Sequence, residues 1–250
     1  MPESDSAHGI SGHYAAGGLQ WQFDLARYVR SEIATVMDFL DTLPDSSLSG
    51  LDVLEFVSES YYAMLPDHAS DYRVVVIDID GGMLEEPPVQ RIEGQQERRS
   101  YVKAEAMSAA MRYHATRFKA VCILSGSIAS LTPGERLRVM RRAAGCLPLG
   151  GVFIASVEYV LPQAPPTHIV RLHSDAELID ETDHRNRTWR RILRRGSQEW
   201  ISEFHLVTPE DLAHDIRTTG MTVVKQQSTP DPDHPFLIRV VLGAINPAVS

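Results

Sequence analysis

The feature that most constrains the fold is an alternation, after Gly50, of short apolar runs with stretches of helical spacing. Two of the runs, RVVVI at residues 73–77 and AVCIL at residues 120–124, show no polar alternation. Strands of this kind are covered by helices on both faces. The alternation predicts parallel strands joined by crossover helices, so we expect an α/β fold with a doubly wound, Rossmann-like sheet.

The rest of the chain divides by its spacing of apolar residues. Residues 1–18 are small and polar and predict a mobile N-terminal arm. Residues 19–48 carry apolar side chains at three- and four-residue spacing, which predicts a helical lid. Residues 159–205 alternate as antiparallel strands do. We therefore expect an α/β core over 49–158 and 206–246, interrupted by an antiparallel insertion.

Composition narrows the class of protein. The 250 residues fit one main core. A net charge of −9 opposes binding to nucleic acid or to an anionic membrane surface. Only Cys122 and Cys146 are present, so cysteine cannot build a disulfide framework or a thiolate metal site. No window approaches the roughly 18 apolar residues that cross a bilayer, so we expect a cytoplasmic protein without a targeting segment or membrane partner.

Acidic residues follow the predicted strands, at the edge where open α/β sheets bind ligands. Three of them mark strand ends: Glu55, Asp78 and Glu105. Asp78 is the best single candidate, because an acid after the second strand can accept two ribose hydroxyls and residues 81–82, both glycine, permit a tight turn. The alternative is that Asp78 and Asp80 only cap a helix beginning near Met83.

Three segments carry a resemblance to a known family. The segments are VVVIDIDGGML at residues 74–84, the stretch from AVCILSG to IASVE at residues 120–158, and VTPEDLAHDIRTTGMTVV at residues 207–224. They resemble class I S-adenosylmethionine-dependent methyltransferases, in the small-molecule branch. The resemblance extends over about residues 50–245. It implies seven strands in the order 3-2-1-4-5-7-6, with the last strand antiparallel, and a substrate site under residues 159–205.

The same resemblance implies S-adenosylmethionine as the cofactor. Asp78 would hold the ribose, and Glu105 would contact the adenine amino group. The cofactor-binding residues implied by the match are Glu55, Ser58, Asp78, Ile79, Glu105, Ala106 and Ser125.

The sequence departs from the family at the glycine-rich turn after the first strand. The family pattern is E-x-G-x-G-x-G, and Val57, Glu59 and Tyr61 replace its glycines. Glu59 would bring a carboxylate towards the carboxylate of the cofactor, and two like charges about 4 Å apart repel by roughly 4 kcal/mol at an effective dielectric constant near 20. Either the turn is rearranged and still binds the cofactor, or methyl-donor use has been lost.

Acceptor-site residues are suggested by position. Glu158 follows the fifth strand and His168 lies in the insertion, so both are candidate acid–base catalysts, although histidines on surface strands are common. Ser130 stands where many relatives place a histidine. Expected substrate contacts are Tyr14, Trp21, Tyr28, Ser130 and Arg191. No histidine pair with an acid has metal-ligand spacing, so we predict no metal.

The segment Arg185–Arg195 holds six arginines and no acid. It could recognise an anionic substrate group or an acidic partner protein, or form a solvated edge strand protected against pairing. The first functional hypothesis is a biosynthetic small-molecule methyltransferase. The second is a methyltransferase-fold enzyme that catalyses a cyclisation, isomerisation or elimination, and the third is a non-catalytic partner protein.

Overall fold

A computed structural model describes residues 52–57, 73–78, 99–103, 118–123, 127–173, 176–231 and 234–247. Eleven strands lie in these ranges: β1 (Asp52–Val57), β2 (Arg73–Asp78), β3 (Arg99–Lys103), β4 (Ala120–Ile123), β5 (Val152–Val160), β6 (Thr167–His173), β7 (Ala176–Asp183), β8 (Thr188–Arg195), β9 (Gln198–His205), β10 (Thr222–Pro230) and β11 (Leu237–Ile245). The helices are α1 (Ser127–Ser130), α2 (Pro133–Gly145) and α3 (Pro209–Thr218). The chain thus has a mixed α/β fold, as the alternation predicts.

The larger sheet has the order β10-β11-β5-β4-β1-β2-β3. Strands β1 to β5 pair in parallel, whereas β11 is antiparallel to both β5 and β10. The connections reverse direction beside β1, which pairs with β2 on one side and β4 on the other. Crevices for ligands form at such a switch point, outside the carboxyl ends of the strands.

The apolar core lies between this sheet and the helices. β4 is buried at every position, and Phe153 of β5 and Met140 of α2 are fully buried in the same cluster. α2 packs against α3, and Arg136 Nε lies 2.5 Å from Asp215 Oδ2 between them. The burial of β4 explains why its sequence is continuously apolar.

Both longer helices begin at capping boxes. Thr132 accepts from the backbone N–H of Glu135 at the start of α2, and the Glu135 side chain accepts from the backbone N–H of Thr132. Thr208 and Asp211 make the same reciprocal contacts at the start of α3. These pairs satisfy backbone donors that the first helical turn leaves unpaired. In the sequence, each of these helix starts is marked by Thr followed by Pro, a pattern typical of helix N-termini.

The smaller sheet has the order β6-β7-β8-β9, with each strand antiparallel to the next. Gly196, at φ +57°, occupies the tight turn between β8 and β9. One face packs on the large sheet, where Trp189 meets Val160 and Leu237. The segment predicted as an antiparallel insertion thus lies in its own sheet, although β5 continues to Val160, two residues beyond Glu158.

Within the described residues, no helix combines the length and apolar character that a membrane crossing needs. Cys122 and Cys146 are both buried, and they form no disulfide.

Candidate functional site

The cofactor residues expected from the sequence divide into two groups. Glu55 lies on β1, and Asp78 is the last residue of β2, in register with Val57 at the end of β1. The other expected cofactor residues lie outside the described residues: Ser58, Ile79, Glu105, Ala106 and Ser125. The expected aromatic substrate contacts also lie outside them: Tyr14, Trp21 and Tyr28. So do Glu59 and Tyr61, two of the three residues that replace glycines.

The backbone around Asp78 fits a nucleotide ligand. Asp78 and Val57 end adjacent parallel strands at one edge of the sheet, and β1 lies at the point where the strand order reverses. This is where α/β folds bind nucleotides, with an acid after the second strand at the ribose. Asp78 and Val57 therefore lie at the edge of the sheet where ligands bind in folds of this kind.

A second group of polar residues meets where β5 reaches the smaller sheet. Five strands and one loop contribute to it, and we call it the carboxyl-edge cluster. Its members are Glu158, His168, Asp180, Arg191, His234 and Arg239. The sequence analysis expects three of them at the acceptor site: Glu158, His168 and Arg191. Arg191 contacts Glu158 directly, and it contacts Asp180, which lies opposite His168 in the β6–β7 register.

Glu158 is held between two guanidinium groups. Its Oε2 accepts a hydrogen bond from Arg191 Nη1 at 3.2 Å, and its Oε1 accepts one from Arg239 Nη2 at 3.2 Å. Arg239 lies directly opposite Glu158 in the β5–β11 register. Because both carboxylate oxygens are engaged, Glu158 is fixed in orientation and carries a matched negative charge.

Asp180 is the most enclosed charge of the cluster, with its side chain 3% exposed. Oδ1 accepts from Arg191 Nε at 2.9 Å and from Trp189 Nε1 at 3.0 Å, and Oδ2 accepts from Arg191 Nη2 at 3.2 Å. Burial alone would raise the pKa of Asp180, but the charge of Arg191 and the contacts with His234 outweigh it and lower this pKa well below its usual range. Asp180 is therefore ionised at neutral pH.

Two imidazoles complete the cluster. His234 Nε2 lies 3.0 Å from Asp180 Oδ2, at ion-pair distance without the alignment of a hydrogen bond. The rings of His168 and His234 meet edge to face, with centroids 4.4 Å apart, and Phe236 lies 5.3 Å from His168. Burial, and next the charge of His234, lower the pKa of His168, while Asp180 opposes them. His168 is thus kept neutral at neutral pH.

Sequence reasoning missed Asp180, His234 and Arg239. Asp180 could have been predicted as a paired charge, because it is an acid at an inward-facing position of an alternating strand, where a charge needs a partner. His234 could not have been predicted from the sequence, since it lies in a Pro- and Asp-rich loop whose course depends on how the two sheets dock.

Ser130 and the arginine segment have partners within the chain. Ser130 Oγ donates to the backbone oxygen of Ser127 over 2.8 Å within α1, so its hydroxyl is engaged by the helix. Four of the six arginines in Arg185–Arg195 contact carboxylates of this chain: Arg187, Arg190, Arg191 and Arg194. Among the described residues, no three His, Cys, Asp or Glu side chains are grouped as metal ligands would be.

No family model and no curated protein matches the sequence. Solved structures do match. An S-adenosylmethionine-dependent methyltransferase from Clostridium acetobutylicum is 11% identical, with a TM-score of 0.67 over 92% of this chain and 98% of that one. The CcbJ methyltransferase from Streptomyces caelestis is 15% identical, with a TM-score of 0.61 over 95% and 96%.

A third similar structure has two small molecules bound. It is the 1,6-didemethyltoxoflavin-N1-methyltransferase from Burkholderia thailandensis, with bound 1,6-didemethyltoxoflavin and S-adenosylhomocysteine. It is 19% identical to this chain, with a TM-score of 0.59 over 95% of this chain and 85% of the other. At these identities the likeness establishes a shared fold.

Proposed function

We propose, from the class I S-adenosylmethionine-dependent methyltransferase fold of this chain, that it transfers a methyl group from S-adenosylmethionine to a small metabolite in cytoplasmic biosynthesis. The observation that carries the proposal is the match of folds over nearly the full length of both chains. The sheet order supports it further, since β3-β2-β1-β4-β5-β11-β10 corresponds to 3-2-1-4-5-7-6 with β11 antiparallel.

S-adenosylmethionine, when bound, supplies a methyl group already activated on a positively charged sulfur. In the proposal Asp78 holds the ribose hydroxyls and Glu105 contacts the adenine. The remaining proposed cofactor contacts are Glu55, Ser58, Ile79, Ala106 and Ser125. The chain's own task is then to orient the acceptor, exclude water and remove a proton where the acceptor carries one.

The carboxyl-edge cluster suits the acceptor side of this site. β5 lies two strands from β1, or about 10 Å, and Glu158 is three residues, or about 10 Å, beyond the level at which β4 ends. A metabolite of ordinary size spans such a distance. In this arrangement His168 is the proposed acid–base group, and Glu158 is fixed by Arg191 and Arg239.

The acceptor this site favours is not strongly anionic. Two guanidiniums and two carboxylates of the cluster contact one another, so their charges balance. Arg191 therefore acts on the substrate indirectly, by holding Glu158 and Asp180. An acidic partner protein at Arg185–Arg195 is a separate proposal on which this function does not depend.

One observation favours a second candidate function. Val57, Glu59 and Tyr61 occupy the three positions where the family has glycine. If they prevent cofactor binding, the same fold would serve a cyclisation, isomerisation or elimination at the carboxyl-edge cluster, or a non-catalytic role.

Calorimetric titration with S-adenosylmethionine and S-adenosylhomocysteine tests the proposal. We expect saturable binding of both, weakened about tenfold or more in Asp78→Asn, because a carboxylate that accepts two hydroxyls loses one acceptor. Asp183→Asn, at the exposed last residue of β7, is the matched control and should bind as the wild type does. Absence of binding at millimolar ligand would overturn the proposal and leave the second candidate.

A further inference from the structure

We propose that His234, anchored on Asp180, is a positioning residue for His168, and that His168 accepts the proton of an acceptor hydroxyl or ammonium group. The inference deepens the proposed function, on which it rests, by naming the class of acceptor: one whose attacking atom must lose a proton. It is carried by the contacts of three side chains from β6, β7 and the β10–β11 loop.

The side chain of Asp180 is held rigidly. Its two oxygens accept three hydrogen bonds from Arg191 and Trp189, and the Arg191 guanidinium stacks 4.3 Å from the centroid of the Trp189 ring. A carboxylate held in this way keeps its charge and its orientation. Asp180 is therefore a fixed anchor for whatever lies against its remaining side.

His234 lies on that side and is itself fixed. Its backbone N–H donates to Asp231 Oδ1 at 2.9 Å, and its backbone oxygen accepts from the N–H of Leu237 at 3.0 Å. The side chain is 5% exposed, with Nε2 against Asp180, and Nδ1 has no hydrogen-bond partner among the described residues. A buried nitrogen without a partner is costly, which is consistent with a group that serves a site.

His168 is the accessible member of the pair. It lies opposite Asp180 in the β6–β7 register and is half-buried. Its ring contacts within the described part of the chain are with His234 and Phe236, and it keeps part of its surface exposed. The rings of His234 and Phe236 are 6.3 Å apart, so they contact His168 from adjacent directions.

Among the described residues, the charges that act on His168 are those of His234 and Asp180. Asp180 is itself paired with Arg191, which also pairs with Glu158, and Glu158 pairs with Arg239. The two arginines and the two carboxylates balance in charge. Burial and the charge of His234 lower the pKa of His168. A neutral imidazole is the form that can take up a proton.

The proposed reaction step transfers one proton from the acceptor to His168. The acceptor O–H or N–H bond breaks, its proton goes to an imidazole nitrogen of His168, and the bonding electron pair stays on the acceptor atom as the attacking lone pair. The resulting imidazolium faces the carboxylate of Asp180 across His234. Later loss of that proton to water restores the neutral ring.

Nuclear magnetic resonance of the cofactor-free protein tests the inference without an acceptor. The probe is ¹⁵N-labelled imidazole, followed from pH 5 to 8 in the wild type, His234→Gln and Glu181→Gln. Gln carries no charge, and the charge of His234 lowers the pKa of His168, so we expect an upward shift of the His168 titration in His234→Gln. Glu181, one residue from Asp180 on the opposite face, is the control and should leave the His168 titration unchanged.

The outcomes separate this inference from the proposed function. A wild-type His168 that titrates at or above the ordinary range of histidine, or one unmoved by His234→Gln, overturns the pairing even if S-adenosylmethionine binds. If His234→Gln does not fold, the titration of His168 in the wild type still tests whether the pKa of His168 is lowered. A lowered titration that His234→Gln raises supports the pairing, even if calorimetry detects no cofactor and the cluster serves another reaction.

Discussion

The guanidinium of Arg191, on the smaller sheet, donates a hydrogen bond to the carboxylate of Glu158, at the end of β5 in the larger sheet, over 3.2 Å. The two side chains are 14% and 16% exposed, so the pair is largely removed from water. Arg191 also holds Asp180 within its own sheet. One side chain thus links the docking of the two sheets to the geometry of the candidate acceptor site.

Asp180→Asn should destabilise the protein strongly, because it leaves the Arg191 charge enclosed with one partner fewer. Breaking a buried pair in this way costs about 3–5 kcal/mol. Urea unfolding followed by circular dichroism measures the loss. Glu181→Gln is the control, since Glu181 and its partner Arg190 are 41% and 42% exposed, and an exposed pair contributes under about 1 kcal/mol. Equal losses in the two variants would contradict the burial argument.

Acid should remove the stabilisation that ionised Asp180 provides. Burial raises the pKa of Asp180, and the larger combined effect of Arg191 and His234 lowers it. Because the folded carboxyl releases its proton at lower pH than the unfolded one, the unfolded chain binds more protons below about pH 4. The contribution is therefore present above that pH and is lost as the pH falls through the window below it.

The measurement is the free energy of unfolding in urea at pH 5, 4 and 3 for the wild type and Asp180→Asn. The gap between the two proteins should narrow as the pH falls. Lowered pKa values at Glu135, Asp183 and Asp211 also steepen the acid dependence, but they are common to both proteins and cancel in the difference. If the difference in unfolding free energy between the two proteins stays constant with pH, the charge of Asp180 is not the source of its stabilising effect.

Cys146 should be unreactive in the folded protein. Burial raises the pKa of this thiol, against a smaller opposing effect of Arg142, and the thiolate is the reactive form. Ellman's reagent at pH 8 should modify neither Cys146 nor the fully buried Cys122 before unfolding, and both in urea. A thiol that reacts in the native protein at the rate of free cysteine would contradict this.

The elements that the sequence pattern predicted are those whose signal is local. β4 is apolar because it is covered on both faces, and the starts of α2 and α3 are marked by Thr-Pro caps. The residues with a strand-like pattern, MTVVKQ at residues 221–226, cover only the first part of β10. The strand continues to Pro230 because β10 is at the edge of the sheet, where a proline need not donate to a neighbour.

The carboxyl-edge cluster could be predicted only in part. Glu158 follows from its place after the fifth strand, and His168 and Arg191 follow from lying in the insertion. The contact between Asp180 and His234 joins residues far apart in sequence, and it depends on how one sheet docks on the other. No local pattern encodes that docking, which is why a buried acid and a loop histidine were not paired in advance.

Restoring the glycines after β1 should tighten cofactor binding. The triple variant Val57→Gly, Glu59→Gly, Tyr61→Gly removes the anionic and bulky side chains that replace the family's glycines. We expect S-adenosylmethionine affinity to rise about tenfold or more, with a ceiling near a thousandfold set by a repulsion of roughly 4 kcal/mol. Glu59→Gln isolates the charge and should account for most of the gain at low salt, less at high salt. Calorimetry that finds equal affinity in all three proteins would mean that the turn admits the cofactor as it stands.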